Sequence, residues 1–330
     1  MRCVDFIIMK NRMIKTLVVA ISCAIASVSV FTGIANAQIR YQANISPEAK
    51  KLWTTDSNRL KCSLLFSVPD YGIVNFMTYS GKTLRSNMTV HPKLGIADDS
   101  VMRFIATKPE WQSFSNEKLL GKIKLFPGFN PYVGPTLSWK ILSELSHGNQ
   151  ILMPYTDKKL AAGQNIIPTL SPLGFKKAYR DYLSCQEQLI RVNFNDIRMM
   201  PLVFKLREHN LTEKSLNLLH EQLEYLKLDK NITKITIRAY AYDMSKGPDN
   251  VSLAKDRAEM LKKAYTDIGI SEDLIEIVPF NALTLNTKAE NPIVDESVKS
   301  RNALITVDRD NALINKDLEA NTPDVGTDVM

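Results

Sequence analysis

Hydrophobic and polar positions alternate with different periods in the two halves of this chain. From Cys62 to Ala106, short apolar runs at Cys62–Val68, Val74–Tyr79 and Met102–Ala106 are cut by turn formers at Pro69-Asp70, Ser80-Gly81 and His91-Pro92. Short strands with polar turns predict a mainly antiparallel sheet or small barrel. One helix is predicted there, over Pro135 to Leu145. Leu137, Ile141, Leu142 and Leu145 share its apolar face, and His147-Gly148 closes it.

The period then changes. Residues 186–200 read as a connector and Leu202–Leu206 as a strand. Thr212 caps a helix through Leu226 that buries Leu216, Leu219, Leu223 and Leu226. Next comes a half-buried strand, with Ile235, Ile237 and Ala239 inward against Thr236, Arg238 and Tyr240. A loop with Asp243 and Gly247-Pro248 leads to a helix over 251–268, its apolar stripe running from Leu253 to Ile268 and Gly269 at its C-cap. Strands near Leu274–Val278 and at Ala303–Val307 complete a β-α-β-α-β-β order. The apolar pattern fades from Asp308. The fold class is therefore α+β: a mainly antiparallel β domain over 38–188, a connector and helix-backed mixed sheet over 189–310, and a flexible tail over 311–330.

The first 37 residues carry a different pattern. Lys10, Arg12 and Lys15 precede an apolar run from Thr16 to Ile34, which ends in Ala35-Asn36-Ala37 before Gln38. Residues 1–37 thus read as a secretory signal, and the run also approaches the length of a membrane anchor. Removing them lowers the formal charge from +7 to +4, with 38 basic against 34 acidic side chains. That balance is mild, and no Lys/Arg run interleaves with aromatics, so nucleic acid is not a predicted partner. Only Cys62 and Cys185 then remain. Two cysteines in an exported chain form either one disulfide or two separate buried thiols.

Candidate chemistry is sparse. His91, His147, His209 and His220 are scattered, and no nucleophile elbow, phosphate loop or metal-ligand spacing occurs. The predictions are accordingly no enzyme, no metal and no cofactor. Asp243 at the mouth of a strand and Arg257 early in the next helix are one candidate pair. They form either a structural ion pair or a clamp for a zwitterion, the carboxylate taking an ammonium and the guanidinium a carboxylate. The stretch Phe126 to Gly134, rich in aromatics and turn formers, is either a loop packed over the sheet end or a docking surface.

Two resemblances sharpen this picture. Tyr242-Asp243, Gly247 and Asn250 through Ala258 resemble the signature of the OmpA-like peptidoglycan-binding domain. That resemblance implies that Asp243 and Arg257 hold the diaminopimelate of the wall stem peptide. Ser300-Arg301-Asn302 stands where the family has Asn-Arg-Arg, so Arg301 either shapes the pocket or pairs with an acid. Tyr132-Val133-Gly134, Trp139 through Leu145 and His147-Gly148, with Cys62, Val68-Pro69, Tyr71-Gly72 and Phe194 through Ile197, resemble the MotY family of the sodium-driven polar flagellar motor. This implies a Cys62–Cys185 disulfide, a periplasmic location and docking on the basal body in the T ring with a MotX-like partner. It also implies support of stator units. The alternative is a general OmpA-like periplasmic wall anchor without a motor role.

Overall fold

Two sheets close on one core in the first domain. The computed structural model describes residues 38–43, 51–112, 116–159, 161, 163–241, 249–278 and 301–310. The predicted signal, the Asp243 loop, most of the 279–302 region and the 311–330 tail lie outside them. The first sheet is β2 (Trp53–Ser57), β3 (Lys61–Val68), β4 (Gly72–Tyr79), β5 (Ser86–Pro92) and β8 (Tyr132–Val133), antiparallel throughout. The second has the order β1 (Gln38–Tyr41), β11 (Asn165–Leu170), β9 (Gln150–Leu152), β6 (Ser100–Thr107), β7 (Lys118–Leu125), and β10 (Tyr155–Thr156) pairs with β11.

The inward alternation is what binds the sheets together. Cys62, Leu64, Phe66, Val74, Phe76 and Met88 from one sheet meet Met102, Phe104 and Ile151 from the other, all fully buried. Each such large side chain contributes roughly 1.5–3 kcal/mol by leaving water. Trp53 packs with ring centroids 4.6 Å from Phe66 and 4.9 Å from Phe175, and its indole N–H donates to the Ser171 carbonyl at 2.8 Å.

Helix α1 (Pro135–Ser146) places Pro135 at its first turn, where the missing N–H costs nothing, and buries Ile141, Leu142 and Leu145. Beyond its end, the N–H groups of Gly148 and Asn149 donate to the carbonyls of Leu145 and Glu144, a Schellman closure with Gly148 left-handed.

A second helix, α2 (Phe175–Gln188), stands where the sequence predicted only one helix in this domain and the start of a connector. It buries Phe175, Ala178, Tyr182 and Cys185. Cys185 reaches Cys62 in a disulfide, with Cα atoms 5.9 Å apart. Within Phe126–Gly134, Pro131 and Val133 are buried and Tyr132–Val133 join the first sheet as β8, while Phe126, Phe129 and Tyr132 are exposed, Phe129 at 72%.

The connector is ordered and hydrogen-bonded to the first domain. The Ile190 N–H donates to the Arg59 carbonyl at 3.1 Å, and the Gly81 N–H donates to the Ile190 carbonyl at 3.0 Å. A one-turn helix α3 (Phe194–Ile197) follows, with a capping box between Asn193 and Asp196.

The second domain is a four-stranded mixed sheet in the order β12 (Met199–Val203), β15 (Asn302–Arg309), β13 (Ile232–Ala239), β14 (Ile275–Ile277), with β13 and β14 parallel. Helices α4 (Glu213–Leu228) and α5 (Asp249–Asp267) give the predicted β-α-β-α-β-β order. Four expectations are corrected. The first strand is Met199–Val203 rather than Leu202–Leu206. The last strand runs through Arg309, beyond the point where the apolar pattern fades, and that guanidinium lies 4.0 Å from the Phe194 ring centroid and donates to the Tyr225 hydroxyl. Thr236 of β13 and Tyr240 just beyond it are buried rather than facing outward, while Thr233 and Lys234 at the start of the strand are exposed.

Finally, Leu216 is 43% exposed and α4 instead buries Ser215, Leu219, Gln222, Tyr225 and Leu226. Polar residues hold that face: Ser215 accepts from the Val203 N–H, while Gln222 donates to the Ile197 carbonyl and accepts from the Tyr265 hydroxyl.

Candidate functional site

Helix α5 positions Arg257 by the packing of its neighbours. Ala254, Ala258, Leu261 and Tyr265 press the helix onto the sheet, and small residues on either side of Arg257 let it lie close. The end is fixed by a left-handed Gly269, whose N–H and that of Ile270 donate to the carbonyls of Thr266 and Tyr265.

Arg257 is only 1% exposed. Its Nε donates to the Glu208 carbonyl at 2.9 Å and its Nη1 to the Tyr240 carbonyl at 2.7 Å. The guanidinium lies 4.7 Å from the ring centroid of Phe204. A buried cation is stable only when such partners replace its water. Burial, with a smaller push from the nearby Arg301 cation, moves the Arg257 pKa down to about 10, so it stays charged at neutral pH.

Arg301 bonds to the backbone of the same Phe204. Its Nη1 donates to the Phe204 carbonyl at 3.0 Å, and the Phe204 N–H donates to the Arg301 carbonyl at 2.7 Å. The segment between β12 and α4 supplies the rest. The Lys205 N–H donates to the Asn210 carbonyl, Arg207 turns the chain at φ 58°, and Glu208 thereby presents its carbonyl to Arg257. Two of the three predicted site residues therefore converge around Phe204. The third, Asp243, lies outside the described residues. Phe204 and the carbonyls of Glu208 and Tyr240 were not anticipated from the sequence, since a backbone acceptor leaves no residue-type signal.

The Arg301 cation pushes the Arg257 pKa down, so the two guanidinium groups repel one another. The arrangement is chemically suited to an anion with a planar, two-oxygen head. Among the described residues no group of three or more His, Cys, Asp or Glu converges as metal ligands, and no helix is long and apolar enough to cross a membrane.

Comparison with known proteins places the first domain. The MotY N-terminal domain family matches residues 41–190. The chain is also 24% identical over 275 residues to the sodium-type flagellar protein MotY of Vibrio parahaemolyticus, covering 82% of this chain and 90% of that protein. Among solved structures it is similar to the OmpA-like domain of FopA1 from Francisella tularensis, at 18% identity, 34% and 75% coverage and a TM-score of 0.26. It is likewise similar to the periplasmic domain of Helicobacter pylori MotB, at 17% identity, 39% and 83% coverage and a TM-score of 0.27. Within the matched residues 41–190 lie the disulfide, both sheets from β2 onward, and the stretch Phe126–Gly134.

Proposed function

We propose that this protein is a non-enzymatic, periplasmic component of a flagellar motor that binds peptidoglycan. The first domain docks on the basal body, in the T ring beside a MotX-like partner. The second grips the diaminopimelate of the stem peptide, with Asp243 taking its ammonium and Arg257 and Arg301 its carboxylate. Anchored at both ends, the chain holds stator units against the reaction to their torque.

The observation that carries this reading is the union in one chain of a MotY N-terminal domain with the Arg257–Phe204–Arg301 cluster. The junction suits a load-bearing role. The connector is bonded to the first domain through Arg59 and Gly81, and Arg59 pairs with Glu224 of α4 at 2.7 Å. Deleting the gene tests the motor role. The reading predicts loss of swimming and of fluorescent stator foci at assembled flagella, both restored by the intact chain. Normal swimming and stator foci in the deletion strain would leave only a wall anchor without a motor role.

A further inference from the structure

The exposed apolar residues of the first domain are not scattered. Strand β7 is the terminal strand of its sheet, and among the described residues nothing pairs with its outer edge. At one end Leu119 is 61% exposed, beside Trp139 of α1 at 38%. These two residues, with Lys118, Lys140 and Glu144, line a groove of about 390 Å³ between β7 and α1. At the other end Phe126 is exposed, with Lys124 Nζ 5.1 Å from its ring centroid.

The charges along this seam are one-sided. Arg103 on β6 stands directly opposite Lys122 on β7, and both are exposed. Like charges in direct cross-strand register destabilise a sheet, so this pairing works against folding. Lys118 is neutralised by Glu144 at 2.6 Å. Among the described residues, no carboxylate pairs with Arg103, Lys122, Lys124 or Lys140. Lysines on an edge strand also deter self-association, but an exposed Leu119 and Trp139 around a groove do the opposite.

A bulge divides the seam. Phe104 pairs with Gly121 and Ile105 with Leu119, leaving Leu120 as the extra residue and turning the strand at the mouth of the groove. Beyond the bulge, Gly121 to Leu125 is a regular stretch with an open edge.

We propose that this seam takes an extended acidic segment of a basal-body protein. The segment's backbone pairs with β7 between Gly121 and Leu125. Its carboxylates face Lys122 and Lys124, with Arg103 behind them, and one apolar side chain enters the groove between Leu119 and Trp139. Strand addition of this kind draws affinity from main-chain hydrogen bonds and specificity from the pocket. A lipid surface needs neither an open strand edge nor a concave groove. The proposal rests on the basal-body docking reading and identifies the surface and the partner chemistry within it.

The test uses the oxidised full chain without residues 1–37 and basal bodies isolated from cells lacking this protein. Cosedimentation is measured for the parent, for Lys122→Glu/Lys124→Glu, for Trp139→Ala, and for Lys176→Glu/Lys177→Glu on the exposed side of α2 as a control. Both seam variants are expected to bind at least about tenfold more weakly, and the control like the parent. Parent binding is expected to weaken as salt rises from about 0.05 to about 0.5 M. Carbodiimide is expected to join Lys122 or Lys124 to an Asp or Glu of a basal-body protein. Binding of wall sacculi is expected to stay the same for every variant.

Basal-body binding by the seam variants equal to that of the parent overturns the proposal and leaves the docking reading standing. A parent that binds sacculi but not basal bodies overturns both. Loss of binding by the seam variants to phosphatidylglycerol vesicles alone, with basal-body binding intact, marks the seam as a lipid-facing surface and also overturns it.

Discussion

Arg257 lies 4.7 Å from the ring centroid of Phe204, and the carbonyl of that same Phe204 accepts from Arg301. One residue thus organises both cations, and the consequences of removing each differ. Arg257→Ala takes these donors from the buried Tyr240 carbonyl, at about 1–3 kcal/mol, and from the part-buried Glu208 carbonyl, at less, and it also removes the guanidinium packed on Phe204. The second domain is expected to lose about 2–4 kcal/mol, read as a lower urea midpoint. Arg301 is only partly buried, so Arg301→Gln is expected to cost about 1 kcal/mol or less. An unchanged midpoint for Arg257→Ala would contradict this packing account.

The disulfide between Cys62 and Cys185 closes a sequence separation of 123 residues. On the chain-entropy model that constrains the unfolded state by about 4–5 kcal/mol. Because Cys185 lies in the last turn of the helix that leads into the connector, Cys62→Ser/Cys185→Ser is expected to lower the stability of the first domain by that order. Reductant should shift the parent's urea curve towards that of the double variant and leave the double variant unmoved.

Alkaline pH should unfold the protein through its buried tyrosines. Burial raises the pKa values of Tyr71, Tyr225 and Tyr265, and pushes Tyr155 up to about 12. The folded state therefore holds these protons more tightly than the unfolded chain. Their stabilising contribution is complete below the ordinary tyrosine value of about 10 and is lost as pH rises from there towards the folded values. Phenolate absorbance of these residues is expected to appear together with loss of near-ultraviolet dichroism. Full titration of all tyrosines near pH 10 with the fold intact would contradict it.

Gly72 opens β4 at φ 150°, and a Cβ added there would lie 2.0 Å from the carbonyl oxygen of His91. That oxygen belongs to the neighbouring strand β5, so it has no flexible side chain to yield. Gly72→Ala is expected to cost roughly 2 kcal/mol or more, read as a lower thermal midpoint. The comparable change at Gly128, where a Cβ meets nothing within 4 Å, tests left-handed strain alone and is expected to cost less.

Elements whose faces are wholly apolar were legible in the sequence, and elements held by polar contacts were not. The stripe of α1 and the alternation of β3 and β4 needed no tertiary information. In α4 the leucines at 216, 219, 223 and 226 have helical spacing, yet the helix is rotated so that Ser215 and Gln222 are inside. Their hydrogen bonds to Val203, Ile197 and Tyr265 outweigh burial of one more leucine. Helix α2 was readable in principle: Phe175, Ala178, Tyr182 and Cys185 have spacings of three, four and three. At the candidate site, Arg257 was legible from its place early in the helix after Asp243, and Arg301 from its resemblance to a motif. What holds Arg257 is a ring and two backbone carbonyls from other elements, and no residue pattern encodes where those fall.

The most direct test of the peptidoglycan-anchor account is cosedimentation of the oxidised chain lacking residues 1–37 with diaminopimelate-type sacculi. Arg301→Gln, Asp243→Asn and Arg257→Lys are compared with the parent, each first shown to be folded by its urea midpoint. Arg301→Gln and Arg257→Lys remove a fork of donors, and Asp243→Asn removes the negative charge. The account predicts that the parent binds and that every variant binds at least about tenfold more weakly. A folded parent that stays in the supernatant, or variants that sediment as the parent does, would contradict it.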